Sequence, residues 1–164
     1  MFGILDHTVY SFLDLSGVIY HPLVGNYHFI GQGVGQIRIE LDNDMTFHEF
    51  NVDGSVIIGR IPLYSGKVTI DCQQSSNIHK WLMSAWQTIK MAKPKEWARM
   101  NCLIRRVSDG YEDRITGMSF ETIPPKVYQA EGQMVSWVLL AGHIKESVLK
   151  NESSYIDSLK SMFS

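Results

Sequence analysis

Along most of this chain hydrophobic and polar residues alternate with a period of two, the rhythm of a strand with one buried face. In residues 36–42, QIRIELD, the side chains of Ile37, Ile39 and Leu41 fall on one side, and Gln36, Arg38, Glu40 and Asp42 on the other. Residues 67–73, KVTIDCQ, repeat the arrangement, with Val68, Ile70 and Cys72 inward and Lys67, Thr69 and Asp71 outward. The run TVYSFLDLSGVIY (8–20) is rich in β-branched and aromatic residues, as a long strand would be. Further strand signals cover residues 27–30, 46–52, 56–61 and 101–107, and a long one covers 112–123. Turn chemistry separates them at Pro22 with Gly25-Asn26, at Asn43-Asp44, at Ser65-Gly66 and at Ser108-Asp109-Gly110. Asp53-Gly54, set between two such runs, is the strongest hairpin signal. Residues 134–141, MVSWVLLA, are apolar on both faces and predict a central strand covered on both sides.

After Ser75-Ser76 the period changes. Ile78, Trp81, Leu82, Ala85, Trp86 and Ile89 recur at helical spacing and form an apolar stripe about four turns long. Either serine can cap this helix by accepting free amide hydrogens of its first turn. Lys93-Pro94-Lys95 ends it. A second, short helix is predicted near the C-terminus, with Ile156, Leu159, Met162 and Phe163 on its apolar side and Ser154/Asp157 resembling a capping box. Together these elements predict a mainly β (α+β) fold, an antiparallel sandwich or barrel with one packed helix and a short C-terminal helix. With 164 residues the chain is expected to form one β domain over residues 1–144, followed by an extension over 145–164.

Composition narrows the function classes. A net charge of -2 lacks the basic surplus of a dedicated nucleic-acid binder. The opening MFGILDHTVYSF has neither the charged region nor the long apolar run of a signal peptide, and no stretch approaches the roughly 20 apolar residues of a membrane span. A cytoplasmic origin is expected. Cys72 and Cys102 fall at apolar-face positions and read as buried free thiols.

Templates for chemistry find little to hold. GQGVG (31–35) has two of the glycines of a phosphate loop but leads into an alternating strand, without a helix N-terminus to bind phosphate; it reads as a turn or bulge. The six histidines are scattered, and His48-Glu49, adjacent on a strand, point to opposite faces. No GxSxG elbow is present. Arg105-Arg106 with Arg114 across the Asp109-Gly110 turn is the nearest approach to a basic patch. The carboxylates Glu112-Asp113 alternate faces, and Asp42/Asp44 lie at a turn. The expectation is a protein without catalysis, cofactor or metal.

Several segments taken in order carry a resemblance. They are TVYSFLDLSGVI, the glycine-rich turn, IRIELDNDMTFHEFNVDGSV, SGKVTIDCQQSSNIHKWLMSAW and SFETIPPKVYQAEGQMVSWVLLAGHI. This order resembles the tail tube proteins of tailed bacteriophages, especially the small type of contractile-tailed phages. The similarity runs from Thr8 to Ile144 and rests on no single motif. It implies a virion structural protein that self-assembles into hexameric rings. The rings stack into a hollow tube whose lumen is a continuous β-barrel, with helices outside. Sheath, tape-measure, baseplate and tail terminator proteins are the implied partners. Double-stranded DNA passes without specific binding, no membrane is involved, and assembly takes place in the host bacterial cytoplasm. Type VI secretion and pyocin tubes share the architecture, so a tube for protein cargo is the alternative.

On this reading the polar faces of the two best strands are candidate lumen residues: Gln36, Arg38, Glu40, Lys67, Thr69 and Asp71. A conduit should not grip its cargo, because each fixed cation on a phosphate adds binding. Met45, Phe47, Phe50 and Val52, apolar residues around hairpin signals, are the candidate inter-ring contact. The extension over 145–164 goes beyond where the family pattern usually ends.

Overall fold

The computed structural model describes residues 15–30, 34–106 and 110–148. The predicted strand over residues 8–14, most of GQGVG, the turn at 107–109 and the C-terminal helix lie outside the described residues. Ten strands and one α-helix are described. The strands are β1 (Leu15–His21), β2 (Gly25–Ile30), β3 (Val34–Leu41), β4 (Thr46–Phe50), β5 (Val56–Arg60), β6 (Gly66–Gln73), β7 (Met100–Arg106), β8 (Tyr111–Thr122), β9 (Met134–Ala141) and β10 (His143–Val148). The helix α1 spans Asn77–Lys90. Wherever the alternation was clear, the strand is there, and all pairings are antiparallel.

Eight strands form one sheet in the order β2-β1-β7-β8-β9-β6-β3, with β10 also paired to β8. Of the two expected forms, sandwich or barrel, a closed barrel is not formed among the described residues. Among the described residues β2 and β3 each have one partner, so the sheet remains open at both ends. It folds instead at a corner. There Gly117 takes φ +66, a conformation costly for a residue with a Cβ. The Gly142 amide donates to the carbonyls of Thr116 and Gly117, and the Gly117 amide to Asn101 Oδ1 at 3.3 Å. Burial changes phase at this line: β8 buries Ile115 and then Met118, while the neighbouring edge buries Ala141 and then Ile144. The two halves of the sheet can therefore face each other.

One half is β2-β1-β7 with the start of β8 and β10; the other is the end of β8 with β9-β6-β3. Leu15, Ile104 and Asp113 of the first look across a cavity of about 280 Å³ at Ile37 and Ile39 of the second. Helix α1 covers the flank between β2 and β6. Its N-cap is Ser76, whose hydroxyl accepts from the His79 amide. Ile78, Leu82, Ala85 and Ile89 of the predicted stripe are buried, and Trp81 and Trp86 are half-buried at its margins. Trp81 stacks on Tyr27 of β2 at 5.7 Å. Trp137 of β9 is fully buried beneath the helix, and its Nε1–H donates to His79 Nδ1 at 3.1 Å.

β9 corrects one expectation. It is central in the sheet, but only Val135, Trp137, Leu139 and Ala141 are buried, while Met134 and Leu140 are exposed on the other face. Among the described residues helix and core cover one side only, and the apolar residues opposite merely mimic a doubly covered strand. β10 carries the sheet on to Val148, past residue 144.

Candidate assembly surfaces

All six predicted lumen residues come together on the outward face of the half-sheet β3-β6-β9-β8. They are cross-strand partners, Gln36 with Asp71, Arg38 with Thr69 and Glu40 with Lys67. Ser119 and Glu121 of β8 and Ser136, Val138 and Leu140 of β9 extend the face. Its charges are matched locally. Arg38 lies 3.5 Å from Glu40, Lys67 Nζ is 3.3 Å from Glu121 Oε1, and Ser136 Oγ donates to Asp71 Oδ1. The face thus holds two cations, each beside a carboxylate, and a third carboxylate satisfied by a hydroxyl. β3 begins with a bulge between Val34 and Gln36, as the glycine-rich turn suggested, and the Met134 side chain lies across Gly35 there.

The other predicted contact is a free-standing hairpin. β4 and β5 pair only with each other. Gly54, at φ +87, closes the loop by donating to the Asn51 carbonyl, and the Asp53 carboxylate accepts from the Ser55 amide and hydroxyl. Among the described residues no non-glycine residue has positive φ. This is a three-residue loop ended by a left-handed glycine, not a two-residue Asp-Gly turn. Phe50 is 75% exposed and Val52, at the tip, is fully exposed. Met45 sits at the root beside Leu41 and Tyr64, and Phe47 lies over its cross-strand partner Gly59. Sequence reasoning missed the second arm, where Val56, Ile57 and Ile58 are also exposed.

Other polar side chains tie elements of the fold together. His21, fully buried, accepts from the Leu23 amide at Nδ1 and donates through Nε2 to the Glu96 carbonyl, which ties the β1–β2 turn to the segment after α1. Arg99 makes two 3.1 Å bonds to the Glu96 carboxylate. The suspected basic patch divides. Arg106 lies over the Tyr111 ring, whereas Arg105 and Arg114 both bond to Glu112, at 3.2 and 2.9 Å. The Arg114 hydrogen bond, with the charges of both arginines, outweighs desolvation and holds the Glu112 carboxyl below its ordinary range. Burial, with a contribution from Glu146 beside it, raises Asp113. Cys72 and Cys102 are buried free thiols, Cys102 pushed up to about 12 by burial. Among the described residues no three His, Cys, Asp or Glu side chains gather as a metal site would require, and no helix is long and apolar enough to cross a membrane.

A free-standing apolar hairpin thus stands beside a charge-matched sheet face. The Bacteriophage PhiTE tail tube protein family matches residues 7–149. The chain belongs to this family of phage tail tube proteins. Membership makes it a component of a virion tail. No curated protein sequence matches it. Among solved structures it is similar to the tube-terminating cap of the anti-feeding prophage, at 8% identity and a TM-score of 0.55, over 88% of this chain and 94% of that one. It is also similar to a chain of the sheath–tube complex of an extracellular contractile injection system in the extended state, at 7% identity and a TM-score of 0.52, over 88% and 95%. A chain from the sheath/tube terminator of the same kind of system gives 10% identity and a TM-score of 0.50, over 80% and 93%. At these identities the likeness is one of fold. This tail tube subunit has the fold of contractile injection machines.

Proposed function

We propose that the chain forms hexameric rings that stack into the inner tube of a contractile phage tail, and that the outward face of β3-β6-β9-β8 lines the channel through which DNA passes. The observation that carries this reading is that face. It is a four-stranded wall bounded by β3 on one side and the end of β8 on the other. An even number of antiparallel strands leaves the two boundaries running in opposite directions. Rotation about a ring axis keeps strand directions, so β3 of one copy meets the end of β8 of the next antiparallel, and the ladder continues around the ring. Such closure removes edges that would otherwise pair at random. The matched charges suit a conduit, because each phosphate gains little from a cation already beside a carboxylate.

The hairpin then reaches the adjacent ring. A two-stranded hairpin alone is marginally stable in water, and burying Phe50, Val52 and Ile58 against a neighbour supplies what the subunit does not. Sheath, tape-measure, baseplate and terminator proteins complete the tail. Negative-stain microscopy of the purified protein tests the reading. Six-fold rings and hollow tubes are expected, and monomers under all conditions would refute it.

A further inference from the structure

The core-facing row of β3 is not sealed as its neighbour's is. On β6 the inward side chains Val68, Ile70 and Cys72 are fully buried. On the paired β3, Ile37, Ile39 and Leu41 face the same way and are only half-buried. Ile37 and Ile39, with Leu15 and Ile104 opposite, form the apolar floor of the cavity of about 280 Å³. Its rim is amphipathic. Tyr111 is 48% exposed there, and its cross-strand partner Val148, the last residue of β10, is 58% exposed. The described lining residues include two carboxylates, Asp113 and Glu146, but one cation, Arg106. The two carboxylates are register partners on β8 and β10. An apolar floor with a net negative rim suits an apolar segment that carries a cation.

We propose that residues 150–164 close this opening in their own subunit, setting Ile156, Leu159 and Phe163 over Ile37 and Ile39 and Lys160 beside Asp113 and Glu146. The family match ends at residue 149, so membership assigns these residues no role. β10 ends at the rim of the cavity, and the extension therefore starts where the cover is needed. Its sequence has the required form. At helical spacing Ile156, Leu159, Met162 and Phe163 make one stripe, Lys160 borders it one turn from Ile156 and from Phe163, and Asp157 falls on the far side. A helix over residues 155–163 and the extended row from Ile37 to Leu41 have the same length, about 13 Å. The N-terminal residues leave from the same end, next to Leu15, but they fit less well. Residues 1–14 contain Asp6 and Asp14 and neither lysine nor arginine, so they would set carboxylates against carboxylates. The inference concerns one subunit and stands apart from ring formation.

A cysteine placed at Ile39 reports the cover in the full chain, because the native Cys72 and Cys102 are buried. In dilute Ile39→Cys protein a maleimide should label the new thiol about tenfold more slowly than in the same protein also carrying Leu159→Asp and Phe163→Asp. Equal rates, with both proteins melting cooperatively, would overturn the inference. Protection that appears only as protein concentration rises would give the cover to a second copy and overturn it too. Carbodiimide joins a lysine amine directly to a carboxylate in contact with it, and it tests the charge pairing without any substitution. In a mixture of isotope-labelled and unlabelled chains, mass spectrometry should find Lys160 joined to Asp113 or Glu146 of its own chain. Links only between chains, or free acylation of Lys160 by a soluble amine reagent, would refute the proposal.

Discussion

His79 is the titrating residue whose protonation the packing most directly resists. Trp137 donates to its Nδ1, which can accept only while unprotonated, and burial lowers its pKa from 6.5. Because the folded value lies below the unfolded one, this contribution to stability is full above about pH 6.5 and is lost as the pH falls through the folded value. Thermal melts should therefore show a lower Tm at pH 5 than at pH 7.5, and His79→Gln, which cannot titrate, should lack that component. Glu112 adds a second loss at more acid pH, since its carboxyl is held low by its arginines. A separate outcome concerns the thiols. Cys72 and Cys102, both raised by burial, should stay unreactive toward a thiol reagent at pH 8 until denaturant is added. Some of these contacts were legible and some were not. The Arg105–Glu112 pair follows from a hairpin centred on the Ser-Asp-Gly turn, once its register is taken seriously. Asp113 beside Glu146 joins strands distant in sequence, and no local signal foretells their register.

The elements themselves were largely readable, because each carries its period within a few turns of chain. α1 bears this out, and two substitutions measure it. Leu82→Ala should destabilise the subunit by about 2–5 kcal/mol, since Leu82 is fully buried, whereas Lys80→Ala on the exposed side should change it by less than about 0.5 kcal/mol. Denaturant titration reads both. What periodicity could not reveal is the corner, because it depends on Gly117 of β8 meeting Gly142, between β9 and β10, in space. At Gly117 the nearest non-local atom to an added Cβ is 3.6 Å away, so Gly117→Ala has room. Its cost of about 1–2 kcal/mol would come from the left-handed backbone. Nor could periodicity tell an exposed hairpin from a packed one. Residues 46–60 alternate like any strand pair, and only the fold shows that among the described residues β4 and β5 pair with no other strand. Deleting residues 47–56 should accordingly leave a folded subunit, by circular dichroism and cooperative melting, that no longer polymerises.

At the scale of the whole molecule, the two outward faces of one folded sheet differ. One matches every described cation with a carboxylate; the other, on β2-β1-β7-β8-β10, displays Arg105 and Arg114 beside an apolar groove at Ile30. Of the sandwich or barrel expected, no closed barrel forms among the described residues, because the sheet turns at the Gly117 corner and β2 and β3 each keep a single partner. If the wall lines the channel, its charge matching sets how freely DNA moves. Glu40→Gln with Glu121→Gln would free Arg38 and Lys67 in every subunit while removing only surface pairs of small energetic worth. Tails carrying both changes should assemble normally and eject DNA more slowly, most visibly at low salt. Cryo-electron microscopy of the assembled tube tests the central claim most directly. The account predicts six-fold rings with Gln36, Arg38, Glu40, Lys67, Thr69 and Asp71 on the channel surface and β3 paired to the end of β8 in the next copy. A channel lined instead by Val18, Leu103 and Arg114, or a ring in which β3 stays unpaired, would contradict it.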